Sequence, residues 1–120
     1  MAIKLFDSEL KVMEVIWRHE NITAKQIVEI LGQQIGWNKN TTYTVIKKCI
    51  EKGAIERREP NFICRALVSK EDVQESELNE LVDKLFDGSA ELLFASLVGR
   101  RKLPGDMIEK LKGIIEEEGR

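Results

Sequence analysis

Three short amphipathic helical segments, a two-strand hairpin and three further helical segments follow one another along 120 residues. That order predicts a mostly α protein. An N-terminal winged helix-turn-helix with a short β-hairpin wing takes residues 1–68, and a C-terminal helical region takes 69–120. The length suits one small domain with an attachment and excludes a doubly wound enzyme with a separate substrate domain. At 42% hydrophobic and 33% charged residues the chain has enough apolar material for a core, so a disordered chain is excluded.

The first helix is predicted over 7–19. Asp7 or Ser8 supplies the cap, and Leu10, Met13, Val15, Ile16 and Trp17 supply the apolar face. Asn21-Ile22 breaks it. Thr23-Ala24-Lys25-Gln26 then matches a capping box, in which the Thr hydroxyl and Gln amide serve reciprocal backbone donors. The second helix runs to Leu31 on a stripe of Ala24, Ile27, Val28 and Leu31, with Gly32 as its stop and Gln33 to Trp37 as a linker. Asn38 or Asn40 caps a third helix over 40–52. On a wheel of about 100° per residue, Val45, Ile46 and Cys49 fall within about 60° of Thr42 and form its core stripe. Two β-prone runs, Ile55–Arg58 and Phe62–Leu67, flank the turn Glu59-Pro60-Asn61.

From Ser69 the character changes. Ser69-Lys70-Glu71-Asp72 is a further cap signature, opening a helix with Val73, Leu78, Leu81, Val82, Leu85 and Phe86 as its apolar residues. After Asp87-Gly88, the segment 90–98 is apolar on most of its surface, with Leu92, Leu93, Phe94, Leu97 and Val98. A basic turn at 99–102 precedes Pro104, which suits the first turn of a last helix carrying Met107, Ile108, Leu111, Ile114 and Ile115. These helices are too apolar for a solvated tail. A segment apolar all round wants burial on more than one side, so pairing with a second copy is expected. The expected interface comprises Leu78, Leu81, Val82, Leu85 and Phe86 of the first of these helices, Leu93, Phe94, Leu97 and Val98 of the second, and the five apolar residues of the last.

The net charge of −2 argues at first against nucleic acid, but its distribution does not. Residues 1–65 hold 11 Lys and Arg against 8 Asp and Glu, whereas residues 66–120 hold 8 against 13. The front half, at +3, can meet phosphate, and the back half, at −5, is repelled by it. The run from Asn38 to Lys48 is the main functional signal. With the core stripe turned inward, Asn40, Tyr43, Thr44, Lys47 and Glu51 face outward, with Lys48 beside them. Asn and Lys can read base edges, and Thr, Tyr and helix N-terminal amides suit phosphate oxygens. An ordinary solvated helix face accounts for such residues equally well. The hairpin directly downstream tips the balance, because Arg57, Arg58 and Asn61 flank the same surface. Asn38, Lys39 and Thr41 complete the expected DNA-binding set. The expected partner is therefore double-stranded DNA read by a homodimer on a palindrome.

Other chemistries find little support. One histidine, His19, with scattered acids makes no metal site, and no cofactor is expected. No Ser/His/Asp set, phosphate-binding glycine loop or HExxH is present, which excludes the common catalytic arrangements. No apolar run approaches membrane-span length and no leader is visible, so a cytoplasmic protein is expected. Cys49 lies on a core stripe and Cys64 in the second strand. A thiol-responsive regulator using these two is one alternative, and a winged-helix module that binds protein is another.

The residues Trp37 to Lys48, followed by Glu51-Lys52-Gly53-Ala54-Ile55, resemble the recognition helix and strand entry of the penicillinase repressor family. The opening from Leu10 to Trp17 and the segment Leu81 to Gly88 fit it too, so the resemblance spans almost the whole chain. That family includes the methicillin-resistance repressors and a copper-responsive branch. The resemblance implies a homodimeric bacterial repressor with intertwined C-terminal helices, acting on operator palindromes ahead of genes such as those for β-lactamase. It implies DNA-facing roles for Asn40, Thr41, Tyr43, Thr44, Lys47 and Lys48. Family members often carry Arg where Tyr43 and Lys48 stand, which bears on the base sequence read. It further implies relief of repression by a membrane sensor protease that cuts an Asn-Phe bond, and Ser96-Leu97 occupies the matching position here. The copper branch carries paired C-terminal cysteines, and this chain has none after Cys64.

Overall fold

The computed structural model describes residues 3–100 and 104–118. The chain divides into two compact units, Met1–Glu77 and Leu78–Arg120. Sequence reading put the junction at 68/69. The first turns of the helix that follows belong with the front unit, because Val73 joins its core.

Helix α1 spans Asp7–His19, as expected, but its cap is not Asp7 or Ser8. Phe6 takes the cap position, and the Glu9 carboxylate reaches back to accept its backbone N–H at 2.7 Å. The chain then forms a short strand, β1 (Asn21–Thr23), where the sequence suggested only a break. Thr23 caps α2 (Ala24–Ile35) through the expected box: its hydroxyl accepts from Gln26 N–H at 3.1 Å, and the Gln26 side chain accepts from Thr23 N–H at 3.0 Å. Gly32 does not stop this helix. The stop is Gly36, whose φ of 71° is the left-handed conformation and whose N–H donates to Gly32 O at 3.1 Å. Gln33, Gln34 and Ile35 are therefore helical and not linker. Asn38 caps α3 (Lys39–Glu51), its side-chain oxygen accepting from Thr41 N–H at 2.8 Å.

Strands β2 (Ile55–Arg58) and β3 (Ile63–Ala66) form the wing. Phe62 belongs to the connecting turn and Leu67 lies beyond the strand. The sheet has three strands in the order β1-β3-β2, all antiparallel, with Ile22 opposite Cys64 and Arg57 also opposite Cys64. The core collects Val12, Met13 and Ile16 from α1, Ile27 and Leu31 from α2, Val45, Ile46 and Cys49 from α3, and Ile55 and Cys64 from the sheet. All four residues of the stripe expected on α3, Thr42 included, are buried.

Helix α4 spans Lys70–Leu85, with Ser69 Oγ accepting Asp72 N–H at 3.0 Å. Its start is fastened to α1. Val73 joins the front core, Lys70 pairs with Glu14 at 3.0 Å, and the Trp17 indole donates to Val68 O at 2.9 Å. In the back unit α4 ends at Leu85, and beyond it Gly88 N–H donates to Val82 O at 3.0 Å. Ser89 then caps α5 (Ala90–Gly99), and α6 spans Gly105–Glu118. Leu78, Leu81 and Leu85 are spaced as one exposed stripe along α4, while Val82 is buried and Phe86 half-buried. No residue of α5 is buried: Leu92, Phe94 and Val98 are exposed, and Leu93 and Leu97 are half-buried. Met107 is exposed and Ile108 half-buried. The side chains of Leu111, Ile114 and Ile115, and Arg101 and Lys102 of the basic turn, lie outside the described residues.

Candidate nucleic-acid interface

Burial of Thr42, Val45, Ile46 and Cys49 fixes the rotation of α3, and the residues between them must then face solvent. Lys39, Asn40, Thr41, Thr44, Lys47 and Lys48 are all exposed. The three lysines enter no ion pair among the described residues, so this face carries their positive charge. Asn38 has its side-chain oxygen committed to the cap, and the Thr44 hydroxyl donates to Asn40 O at 2.8 Å. Tyr43 departs from the expected fully outward position. It is half-buried, with its ring centroid 5.9 Å from that of Phe62 at an interplanar angle of 60° and Lys39 Nζ 5.9 Å from its own centroid.

The wing pairs charges within itself. Arg57 Nε donates to Glu59, and Arg58 Nε donates to Glu56 at 3.1 Å. The Arg57 hydrogen bond holds the Glu59 carboxyl below its usual range. Both pairs are largely exposed and add little to stability. Their effect is on the field, since each pair cancels its own charge and leaves the exposed Arg65 of β3 as the wing's net positive charge. Asn61 is exposed at the wing tip in the left-handed region, with φ of 74°. The structure thus brings Lys39, Tyr43, Phe62 and Arg57 together, while Arg58 pairs along its own strand. Sequence reading passed over Phe62, Glu56 and Glu59. The clustered Glu56-Arg57-Arg58-Glu59 was the available signal for these pairings, but nothing local marked Phe62.

The buried groups of the front unit do not suggest other chemistry. Both cysteines are fully buried and reduced. Burial, aided by the Glu9 charge, pushes the Cys49 thiol up to about 12, and burial pushes Cys64 up to about 11 against the opposing charge of Arg57. Thiols held this firmly protonated are poor nucleophiles, which removes the physical basis of a thiol-responsive regulator. His19 Nδ1 donates to Val15 O at 2.8 Å, a helix-end contact. Among the described residues no group of three His, Cys, Asp or Glu could hold a metal ion.

A three-helix unit with a three-stranded sheet whose β2–β3 hairpin forms a wing, presenting a polar and cationic third helix, defines a winged-helix protein of the DNA-binding kind. Residues 5–117 match the model of the penicillinase repressor family, and the chain belongs to that family, which consists of transcriptional repressors and not enzymes. The penicillinase repressor of Bacillus licheniformis is 25% identical over 116 residues, which are 95% of this chain and 91% of that protein. The methicillin resistance regulatory protein MecI of Mammaliicoccus sciuri is 27% identical over 117 residues, 96% of this chain and 95% of that one. The solution structure of monomeric Bacillus licheniformis BlaI in complex with the blaP half-operator is similar at a TM-score of 0.51 and 28% identity. That likeness covers 57% of this chain and 87% of that one.

Proposed function

We propose that this transcriptional repressor acts in the cytoplasm as a homodimer on a palindromic operator, blocking transcription of the gene behind it. The observation that carries the reading is the division of α3, with one face wholly in the core and the other exposed and cationic beside the wing. In this reading α3 enters the major groove, where Asn40, Thr41, Tyr43 and Thr44 contact bases and phosphates and Lys39, Lys47 and Lys48 neutralise backbone charge. Asn38 contributes through the helix start it caps, and Arg57, Arg58 and Asn61 sit where a wing meets the backbone. The similarity to a protein solved on half an operator supports the arrangement of one front unit per half-site.

The exposed leucine stripe of α4 and the apolar surface of α5 support pairing of two chains through the back unit. Relief of repression falls to the same region. Ser96 and Leu97 are half-buried within α5, so a membrane sensor protease would have to unwind that helix before cutting between them. Among the described residues no helix is long and apolar enough to cross a membrane.

The test is a titration of the purified protein against the promoter of its own gene and against unrelated DNA of equal length, at two salt concentrations. A preference of roughly a thousandfold or more is expected of a specific regulator. Equal, steeply salt-sensitive binding to both would overturn specificity for that promoter. No binding at either salt would favour a protein-interaction module. Within this assay Lys47→Ala weakens binding across all sequences alike and lowers the slope of log affinity against log salt by about 1, the signature of one lost phosphate contact. An unchanged slope would remove Lys47 from the phosphate-contacting set.

A further inference from the structure

On the exposed side of the fold, the Phe62 ring stands between the wing and the recognition helix. Arg57 Cζ lies 3.7 Å from the Phe62 ring centroid, the separation of a guanidinium stacked on an aromatic face. Arg57 Nε is spent on Glu59, which leaves its two terminal nitrogens to a further acceptor. The Phe62 ring in turn lies 5.9 Å from Tyr43, tilted by 60°, within the range of favourable edge-to-face pairs. Phe62 is itself well fastened. Its carbonyl accepts from Ala24 N–H, the first residue of α2, at 2.9 Å, and its backbone holds a φ of 52°, uncommon for an aromatic residue. The ring is therefore placed by the junction of β1 and α2 and does not drift with the wing tip.

We infer that Phe62 is a positioning residue that couples Arg57 of the wing to Tyr43 of α3, so that the two engage the operator as one unit. This rests on the operator-binding reading above. A guanidinium held by a ring and a carboxylate has lost its freedom before it meets phosphate, so little further ordering is needed on binding. A tyrosine packed on the same ring cannot shift without moving that guanidinium. Discrimination between bases at Tyr43 then depends on the wing, although Phe62 touches no base.

The experiment is a double-mutant cycle on operator DNA, with each variant's melting temperature recorded beside it. Phe62→Leu keeps apolar bulk but offers no face for a guanidinium. It is expected to weaken operator binding roughly tenfold. The loss caused by Tyr43→Ala should be about fivefold smaller in the Phe62→Leu background than in the wild type. Phe62→Tyr, which keeps the ring, restores both the affinity and the ranking of operator variants. A purely structural role would lower the melting temperature without changing that ranking. Arg57→Lys, on an exposed side chain, keeps the charge and loses the plane, and shows the same coupling to Tyr43 should Phe62→Leu fail to fold. Additive losses in a chain that binds its operator would overturn the coupling alone. Absence of specific binding by the wild type would overturn the operator reading and the coupling with it.

Discussion

Lys52→Ala destabilises the front unit by about 3 kcal/mol, because it strands a buried carboxylate. Glu9 is 1% exposed in the first turn of α1, and Lys52 stands at the end of α3. Lys52 Nζ donates to Glu9 Oε1 at 2.6 Å and to Lys4 O at 2.8 Å, and it lies 4.2 Å from the Phe6 ring centroid. The same Glu9 oxygen accepts Phe6 N–H. One pair thus ties the end of the recognition helix to the start of α1. Burial raises the Glu9 pKa, but the Lys52 hydrogen bond, the Phe6 N–H and the charges of Lys52 and Lys48 outweigh it and hold the carboxyl below its ordinary 4.5. A depressed folded-state value means that the pair stabilises above the unfolded carboxylate range, and that this stability is lost as pH falls through the folded value. Without Lys52 the desolvation remains, opposed by the Phe6 N–H and the Lys48 charge alone, so the variant gains less stability than the wild type as pH rises out of the acid range. Urea midpoints measured from pH 3 to 7 should therefore diverge between wild type and Lys52→Ala as pH rises. Replacing both residues by Met should recover most of the loss, since an apolar pair leaves no orphaned charge. A constant difference across pH would show that Lys52 acts by packing alone.

This pair also shows what the sequence could not convey. An acid in the first turn of a helix reads as a complement to the helix dipole, and nothing near Glu9 announces a partner 43 residues away. Strand β1 was hidden for the same reason, since three residues carry no alternation and become a strand only by pairing with β3. Phe62 read as the first residue of a strand because its left-handed φ and its contact with Tyr43 arise from tertiary placement. By contrast, the face of α3 was legible because helical periodicity is local, and burying Thr42, Val45, Ile46 and Cys49 leaves one orientation for the lysines. Gly32 misled because glycine marks helix ends more often than interiors. The actual stop, Gly36, is the one of the two with a positive φ, while a Cβ at Gly32 would meet Trp37 O at an ordinary contact distance of 3.5 Å, so neither backbone nor space demands glycine there. Arg57 and Arg58 were found, but their pairing with Glu59 and Glu56 was not, because charge was counted by half-chain and not by neighbour.

Leu85→Asp converts the protein to monomers and costs about a hundredfold to ten-thousandfold in affinity for the full palindrome. Leu85 is 64% exposed at the end of the stripe begun by Leu78 and Leu81, so a carboxylate there meets water in the single chain and leaves its fold intact. Between two copies the same carboxylate would be desolvated with no cation given to it, a cost that an apolar interface cannot absorb. Each monomer still presents an unaltered α3 and wing, so binding to a half-site is preserved. What is lost is the high local concentration that a bound first half-site confers on the second. Sedimentation equilibrium and titrations on full and half operators separate these effects. The expected outcome is a halved mass, a much weakened affinity for the palindrome and an unchanged affinity for the half-site. A mass that stays dimeric would move the interface off the α4 stripe. A monomer that retained full affinity for the palindrome would show that the two half-sites are filled independently, and repression would then not depend on the back unit.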